Sequence, residues 1–211
     1  MEHFDIHIQK CVRFPDFANC GKWEIRKLKE IATRITIKNK NSDPLPVLTN
    51  SATGGVINQQ DYFEREIVSK DNLNNYFVVE VDDFVYNPRI STSAPVGPIS
   101  RNKITKGVMS PLYTIFRFSE GCVDFFEYYF KTNCWHQYLK DKANYGARYD
   151  RMNIANEDFF NMPIPFPPIG EQKKIAECLS SVDELIKVYN NQLELLQLHK
   201  LGLMQQLFSY N

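Results

Sequence analysis

The sequence lacks every pairing motif of cysteine. Its five cysteines, Cys11, Cys20, Cys122, Cys134 and Cys178, contain no Cys-x-x-Cys, and an odd count closes no disulfide framework. The four histidines, His3, His7, His136 and His199, do not cluster with them. That spacing argues against a zinc site. No apolar run nears the roughly 18 residues of a membrane span, and residues 1 to 10 are polar and mixed rather than leader-like. These absences predict a reduced, cytoplasmic chain with no metal and no membrane segment. Catalytic motifs are missing too. There is no Gly-x-x-x-x-Gly-Lys for a nucleotide and no glycine motif for S-adenosylmethionine. Tyr86, Asn87, Pro88 and Arg89 resemble an adenine-methylating Asn-Pro-Pro-aromatic loop only superficially, because Arg89 replaces the second proline. Glu171, Gln172 and Lys173 have a nuclease-like Glu-x-Lys spacing without an upstream Pro-Asp. Glu171 reads better as a carboxylate placed at the positive end of a helix. The chain is therefore expected to carry no chemistry of its own.

What is present is a folded chain. Hydrophobic residues make up 43% and aromatics 13% of 211 residues, too many for disorder and enough for one packed domain with an appendage. The formal net charge is zero, so a face for a polyanion requires uneven placement of charge. The placement is uneven. Residues 61 to 83 hold seven acids (Asp61, Glu64, Glu66, Asp71, Glu80, Asp82, Asp83) against Arg65 and Lys70. Residues 84 to 119 hold no acid and five bases, Arg89, Arg101, Lys103, Lys106 and Arg117. This second block is rich in Ser, Thr, Asn, Pro and Gly and is expected to form exposed loops. The acidic block is expected to face away from any nucleic acid. A weaker basic stretch, Lys140, Lys142, Arg148 and Arg151, is interleaved with Tyr138, Tyr145 and Tyr149.

The coarse pattern is mixed α+β. Trp23, Leu28, Ile31, Ala32 and Ile35 approximate one helix face, predicting a helix before residue 35. Leu45 to Thr49, Tyr76 to Glu80 and Phe84 to Tyr86 read as strands. Pro111 to Phe118 alternates, with Leu112, Thr114, Phe116 and Phe118 on one side and Tyr113, Ile115 and Arg117 on the other. Gly54 and Gly55 mark a turn. Val123 to Leu139 reads as one helix, burying Phe125, Phe126, Tyr129 and Phe130. The organisation predicted is a domain over 1–162, a proline-rich strap over 163–170 and a long helix over 171–211.

The strap holds four prolines within Pro163 to Pro168, which exclude helix and favour an extended form. Beyond it the apolar positions Ile175, Leu179, Val182, Ile186, Tyr189, Leu193, Leu196, Leu203 and Leu207 recur in alternating steps of four and three, with Lys200 filling the one polar position. That is the period of a coiled-coil seam. From Glu171 to Phe208 such a helix spans roughly 57 Å at about 1.5 Å per residue, against a radius of gyration of roughly 13–16 Å for a compact domain. The rod therefore needs a second helix, and self-association supplies it most simply. A terminal helix lying on its own domain is the plainer alternative. Toward the end Leu195, Leu198, Leu201, Met204 and Phe208 widen the apolar surface beyond a two-helix seam.

Several segments together resemble the specificity subunits of type I restriction-modification systems. Arg13 to Phe17 followed by Trp23 and Leu28 is similar to the opening of a target recognition domain in that family. Tyr76 to Asn87 (YFVVEVDDFVYN) resembles its Gly-Asp-Phe-Val-Tyr-Asn segment, with Asp82 in place of the glycine, so a different turn is expected there. Gly107 to Tyr113 resembles a further segment, and Pro165 to Phe208 resembles the spacer helix. The resemblance implies a non-catalytic subunit that binds double-stranded DNA. It implies docked adenine methyltransferase subunits, which carry the S-adenosylmethionine, and in some systems a restriction subunit. A full subunit of that family carries two such units with antiparallel helices. A single unit is expected to rebuild this arrangement as a homodimer, each chain reading one half of a split target. The expected DNA contacts are Arg89, Arg101, Lys103 and Lys106, then Asn87, Tyr113 and Arg148. The rival expectation is a non-reading decoy that pairs with a full subunit through its helix.

Overall fold

The computed structural model describes residues 12–40, 43–59, 70–144 and 150–209. Its frame is a four-stranded antiparallel sheet in the order β2-β9-β6-β7: Ala32–Ile35, Thr114–Phe118, Phe84–Tyr86 and Ile99–Arg101. The centre of this sheet is buried on both faces. Along β6 and β9, Phe84, Tyr86 and Phe116 enter one core cluster while Val85 and Ile115 enter another. Successive side chains of a strand point to opposite faces, so the alternation holds along Thr114–Phe118, while Leu112, read onto the same side as Phe116, lies before the strand and is exposed. The first cluster is aromatic: the Phe118 and Phe126 rings stack at 3.8 Å, and Phe84 and Phe116 at 5.6 Å. Four helices cover that face: α1 (Leu28–Ile31), α2 (Val123–Phe130), α3 (His136–Lys142) and α4 (Asn156–Phe160). On the other face lie the hairpin β3–β4 (Leu48–Ser51, Gly55–Asn58) and the pair β5–β8 (Phe77–Val79, Gly107–Met109).

Two predicted helices are corrected. Residues before 35 form a 3-10 turn at Pro15–Phe17, then β1 (Glu24–Lys27), the single turn α1, and β2. Apolar spacing alone could not see that remote segments claim this backbone, β10 (Pro163–Phe166) for β1 and β9 for β2. The predicted helix from Val123 breaks after Phe130. There the Thr132 hydroxyl donates to the Tyr129 carbonyl (2.7 Å) and accepts from the Cys134 amide (3.3 Å), a local side-chain bond that competes with helix. The Trp135 indole then donates to the Phe130 carbonyl at 3.3 Å and seals the corner.

The turn at Asp82 is left-handed. Asp82 has φ 72°, the left-handed conformation that glycine takes without cost. The Asp82 carboxylate is used, accepting from Arg101 Nε at 2.8 Å. Gly97 has φ 80°, and a Cβ built on it would lie 2.1 Å from the Asn87 carbonyl oxygen. Gly97→Ala combines left-handed strain with a backbone clash. It is expected to cost at least about 2 kcal/mol, read as a lowered midpoint in urea unfolding with an unchanged slope.

The proline strap is strand β10, paired antiparallel with β1 from Glu24↔Phe166 to Lys27↔Pro163. Proline fits such a two-stranded edge because it need not donate. The rod, α5, is a single helix over Ile169–Leu207, 39 residues, about 58 Å long. Its foot is clamped. Glu171 and Gln172 are fully buried and Ala176 nearly so. Glu171 accepts from Arg13 Nε (2.8 Å), Arg13 Nη2 (2.5 Å) and the Trp23 indole (3.1 Å). Gln172 accepts from the Cys122 amide (2.8 Å) and donates to the Pro167 carbonyl (2.7 Å). Further out, the Tyr128 hydroxyl donates to Asp183 at 2.8 Å. Burial, then this bond, pushes the Tyr128 phenol up to about 12, so it remains the donor at neutral pH. Among the described residues the rod is open to solvent: every one from Glu177 to Leu201 is exposed, Val182 at 47% and Ile186 at 52% among them. The rod does not fold back on its module. No described helix is long and apolar enough to cross a membrane.

Candidate nucleic-acid interface

The two charge blocks, separate along the chain, meet in space. Lys106 pairs with Glu80 (2.8 Å), Arg101 with Asp82 (2.6 Å), and Arg117 with Asp83 (2.6 Å). Glu80, Asp82 and Asp83, from the stretch expected to face away from any nucleic acid, thus lie against the bases of the second block. Antiparallel β6–β7 pairing sets Phe84 opposite Arg101, which folds the acidic turn onto the basic strand. Asp83 is fully buried and also accepts from the Glu80 amide at 2.8 Å. The acids at 61–66 lie outside the described residues.

The expected contact residues divide by environment. Arg101, with its side chain 13% exposed, also bonds Asp124 (2.5 Å) and Glu127 (3.2 Å). Three carboxylates compensate its charge and fix its position. Asn87 is spent on loop geometry: its amide donates to the Asn50 carbonyl (2.9 Å), and its side-chain oxygen accepts from the Arg89 amide (3.0 Å). The Tyr113 hydroxyl lies 2.9 Å from Thr49 Oγ1, with the ring packed against the second core cluster. Arg89, Lys103 and Lys106 are exposed, the two lysine side chains at 61% and 50%. Arg148 lies outside the described residues, as do Tyr145 and Tyr149.

The structure joins the two basic stretches, which sequence reasoning left apart. Arg89 and Arg151 form an antiparallel β-bridge, flanked by Ile90 N to Asp150 O (3.0 Å) and Met152 N to Pro88 O (2.9 Å). Arg151 thus stands beside Arg89. The neighbouring surface holds a cleft of about 620 Å³, walled by the β3–β4 turn, the 93–98 loop and the α2–α3 corner. Lys103, Lys131 and His136 line it, and sequence reasoning singled out neither Lys131 nor His136 as a contact. Burial, then the nearby Lys140 charge, holds the His136 imidazole below its ordinary value. Exposed cations on loops carried by a rigid sheet suit phosphate contact, while Ser, Thr and Asn beside them suit base edges.

Comparisons with known proteins bear on the family and the fold. Residues 21–197 match the family described as type I restriction modification DNA specificity domain. Over 57 residues the chain is 49% identical to the type I restriction enzyme MjaVIII specificity subunit of Methanocaldococcus jannaschii, which is 27% of this chain and 13% of that protein. It is 40% identical over 60 residues to the putative MjaX specificity subunit of the same organism, 28% of this chain and 14% of that protein. The fold resembles the HsdS subunit from Thermoanaerobacter tengcongensis, with TM-score 0.58 and 15% identity over 89% of this chain and 48% of that one. It also resembles the type I S subunit from M. genitalium, with TM-score 0.52 and 14% identity over 84% of this chain and 43% of that one. The chain spans about half the length of these solved structures. The family match covers the module and most of the rod, and the same architecture recurs in these solved subunits. The chain belongs to the type I restriction modification DNA specificity domain family.

Proposed function

We propose that the chain is a DNA-sequence-reading specificity subunit that reads one half of a split target and seats adenine methyltransferase subunits. The observation that supports this most directly is the family match over residues 21–197, which includes both the module and most of the rod. The chain supplies the reading, and S-adenosylmethionine is held by the methyltransferase subunits. A restriction subunit joins where the system has one. The rod pairs with the rod of a second copy through Ile175, Leu179, Val182, Ile186, Tyr189, Leu193, Leu196, Leu203 and Leu207, and a two-fold pair of this kind favours a symmetric, interrupted target. Arg89, Lys103 and Lys106 take the direct DNA contacts, because their charges are the more accessible ones. Arg101 acts as the post that positions them.

The reading is tested by DNA binding. Neutralising Lys106 with Gln is expected to weaken binding to all duplexes alike and to lower the salt slope by about one unit. Losing an arginine that reads guanine costs about 1–3 kcal/mol and relaxes one base. The triple reversal Arg89→Glu, Lys103→Glu, Lys106→Glu is expected to abolish binding in fluorescence anisotropy. Unchanged affinity in that variant would remove these residues from the interface.

A further inference from the structure

The cleft beside the basic strand is built by three unrelated segments. The turn Ala52–Gly55 forms one wall, the loop from Ser93 to Pro98 the second, and the α2–α3 corner at Lys131 to Trp135 the third. At about 620 Å³ it falls in the range of roughly 300–1,000 Å³ typical of ligand sites. Its charge is organised around one carboxylate. Glu127, only 14% exposed, takes Lys103 Nζ at 3.2 Å and Lys131 Nζ at 3.5 Å on the same oxygen, Oε1, and Arg101 Nη1 at 3.2 Å on the other. Arg101 is already compensated by Asp82 and Asp124. Two lysines therefore share one carboxylate oxygen, and Lys131 also lies 4.0 Å from Asp183; the lining of the cleft itself carries three bases, Arg101, Lys103 and Lys131, against one carboxylate, Glu127. Both lysine side chains are more than half exposed, so each can turn from Glu127 to an incoming anion. Thr53, Ser93, Thr132 and Asn133 add hydroxyl and amide groups around the rim. The floor belongs to buried side chains, among them Phe84, Phe130 and Trp135, which offer no free ring face for stacking a base. That combination selects the backbone of a strand, not a base.

We propose that this cleft seats the phosphodiester backbone of one DNA strand between Lys103 and Lys131, with Glu127 as the resident counter-ion that the phosphate displaces. The inference rests on the DNA-reading function above and adds Lys131 and Glu127 to it. Glu127 holds both ammonium groups in place before DNA arrives. It also lowers the affinity for any polyanion, because each phosphate contact must win a lysine from it. This gives the site an asymmetry that a purely structural ion-pair cluster lacks: removing one member weakens binding and removing another strengthens it.

The test measures anisotropy of labelled genomic duplexes with the full chain across a salt series, for wild type, Lys131→Gln and Glu127→Gln, with circular dichroism melts of each. Lys131→Gln is expected to raise the apparent Kd severalfold and to flatten the salt slope by about one unit. Glu127→Gln, kept folded by its isosteric amide, is expected to bind every duplex more tightly, with a steeper slope. Inorganic phosphate at matched ionic strength is expected to compete no better than chloride, which separates a strand site from a free-anion site. Wild-type affinity in both variants, or weakened binding by a folded Glu127→Gln, overturns the cleft assignment while leaving DNA reading intact. If Glu127→Gln melts below the assay temperature, Lys131→Gln decides alone. No DNA binding by the wild type would instead defeat the reading on which the proposal rests.

Discussion

The double substitution Val182→Asp, Ile186→Asp is expected to leave the chain monomeric at concentrations where the unaltered chain is paired, without unfolding the module. Both residues lie about half exposed on the rod, and the nearby tie to the module, Tyr128 to Asp183, is left in place. In a paired rod the same residues face the partner's seam. The substitution then places four carboxylates in an apolar interface, and burying a charge without a partner is costly. A loss of at least about 4 kcal/mol, or roughly a thousandfold in the association constant, follows. Sedimentation equilibrium reads it directly. Equal assembly of the two proteins would place the pairing surface elsewhere.

Glu171→Ala is expected to destabilise the module itself. The Glu171 carboxylate is fully buried and receives two nitrogens of Arg13 and the indole of Trp23. Removing one partner of a largely buried ion pair costs about 3–5 kcal/mol, because the Arg13 guanidinium loses its carboxylate. The Trp23 N–H loses its acceptor as well. Against a total stability of about 5–15 kcal/mol this is a large fraction. The thermal midpoint should fall by roughly 10 °C, at about 2–4 °C per kcal/mol for a chain of this size. Arg13 lies near the chain's start and Glu171 158 residues later, so the clamp ties the opening segment to the rod foot. A shift under about 2 °C would show that the clamp does not hold the rod.

The rod was legible because its signals are local: alternating steps of three and four, no proline, and, from Glu171 on, Gly202 as the one glycine. Strand β6 was legible from three consecutive β-forming residues, Phe84, Val85 and Tyr86. The segment before Ile35 was not, because Leu28, Ile31, Ala32 and Ile35 fit a helix face while β9 and β10 supply the competing strand partners. Tertiary pairing overrides local pattern in such segments. The charge geometry was hidden for the same reason. Asp82 and Arg101 are 19 residues apart in sequence and bonded in the fold, so the net charge of a block did not give the net charge of a surface. Arg89 and Arg151 met through backbone pairing that no composition count contains. The clamp on Glu171 was half legible: a carboxylate at a helix start was expected to answer the helix dipole, and the fold gives it Arg13 and Trp23 as well.

The measurement that bears most directly on DNA reading is a methylome. Genomes from cells with and without the gene for this chain would be compared by single-molecule sequencing. The account predicts an adenine-methylated, two-part motif with a fixed gap that is present only with the chain, its halves related by symmetry if two copies pair. An identical methylation pattern in both genomes would contradict it.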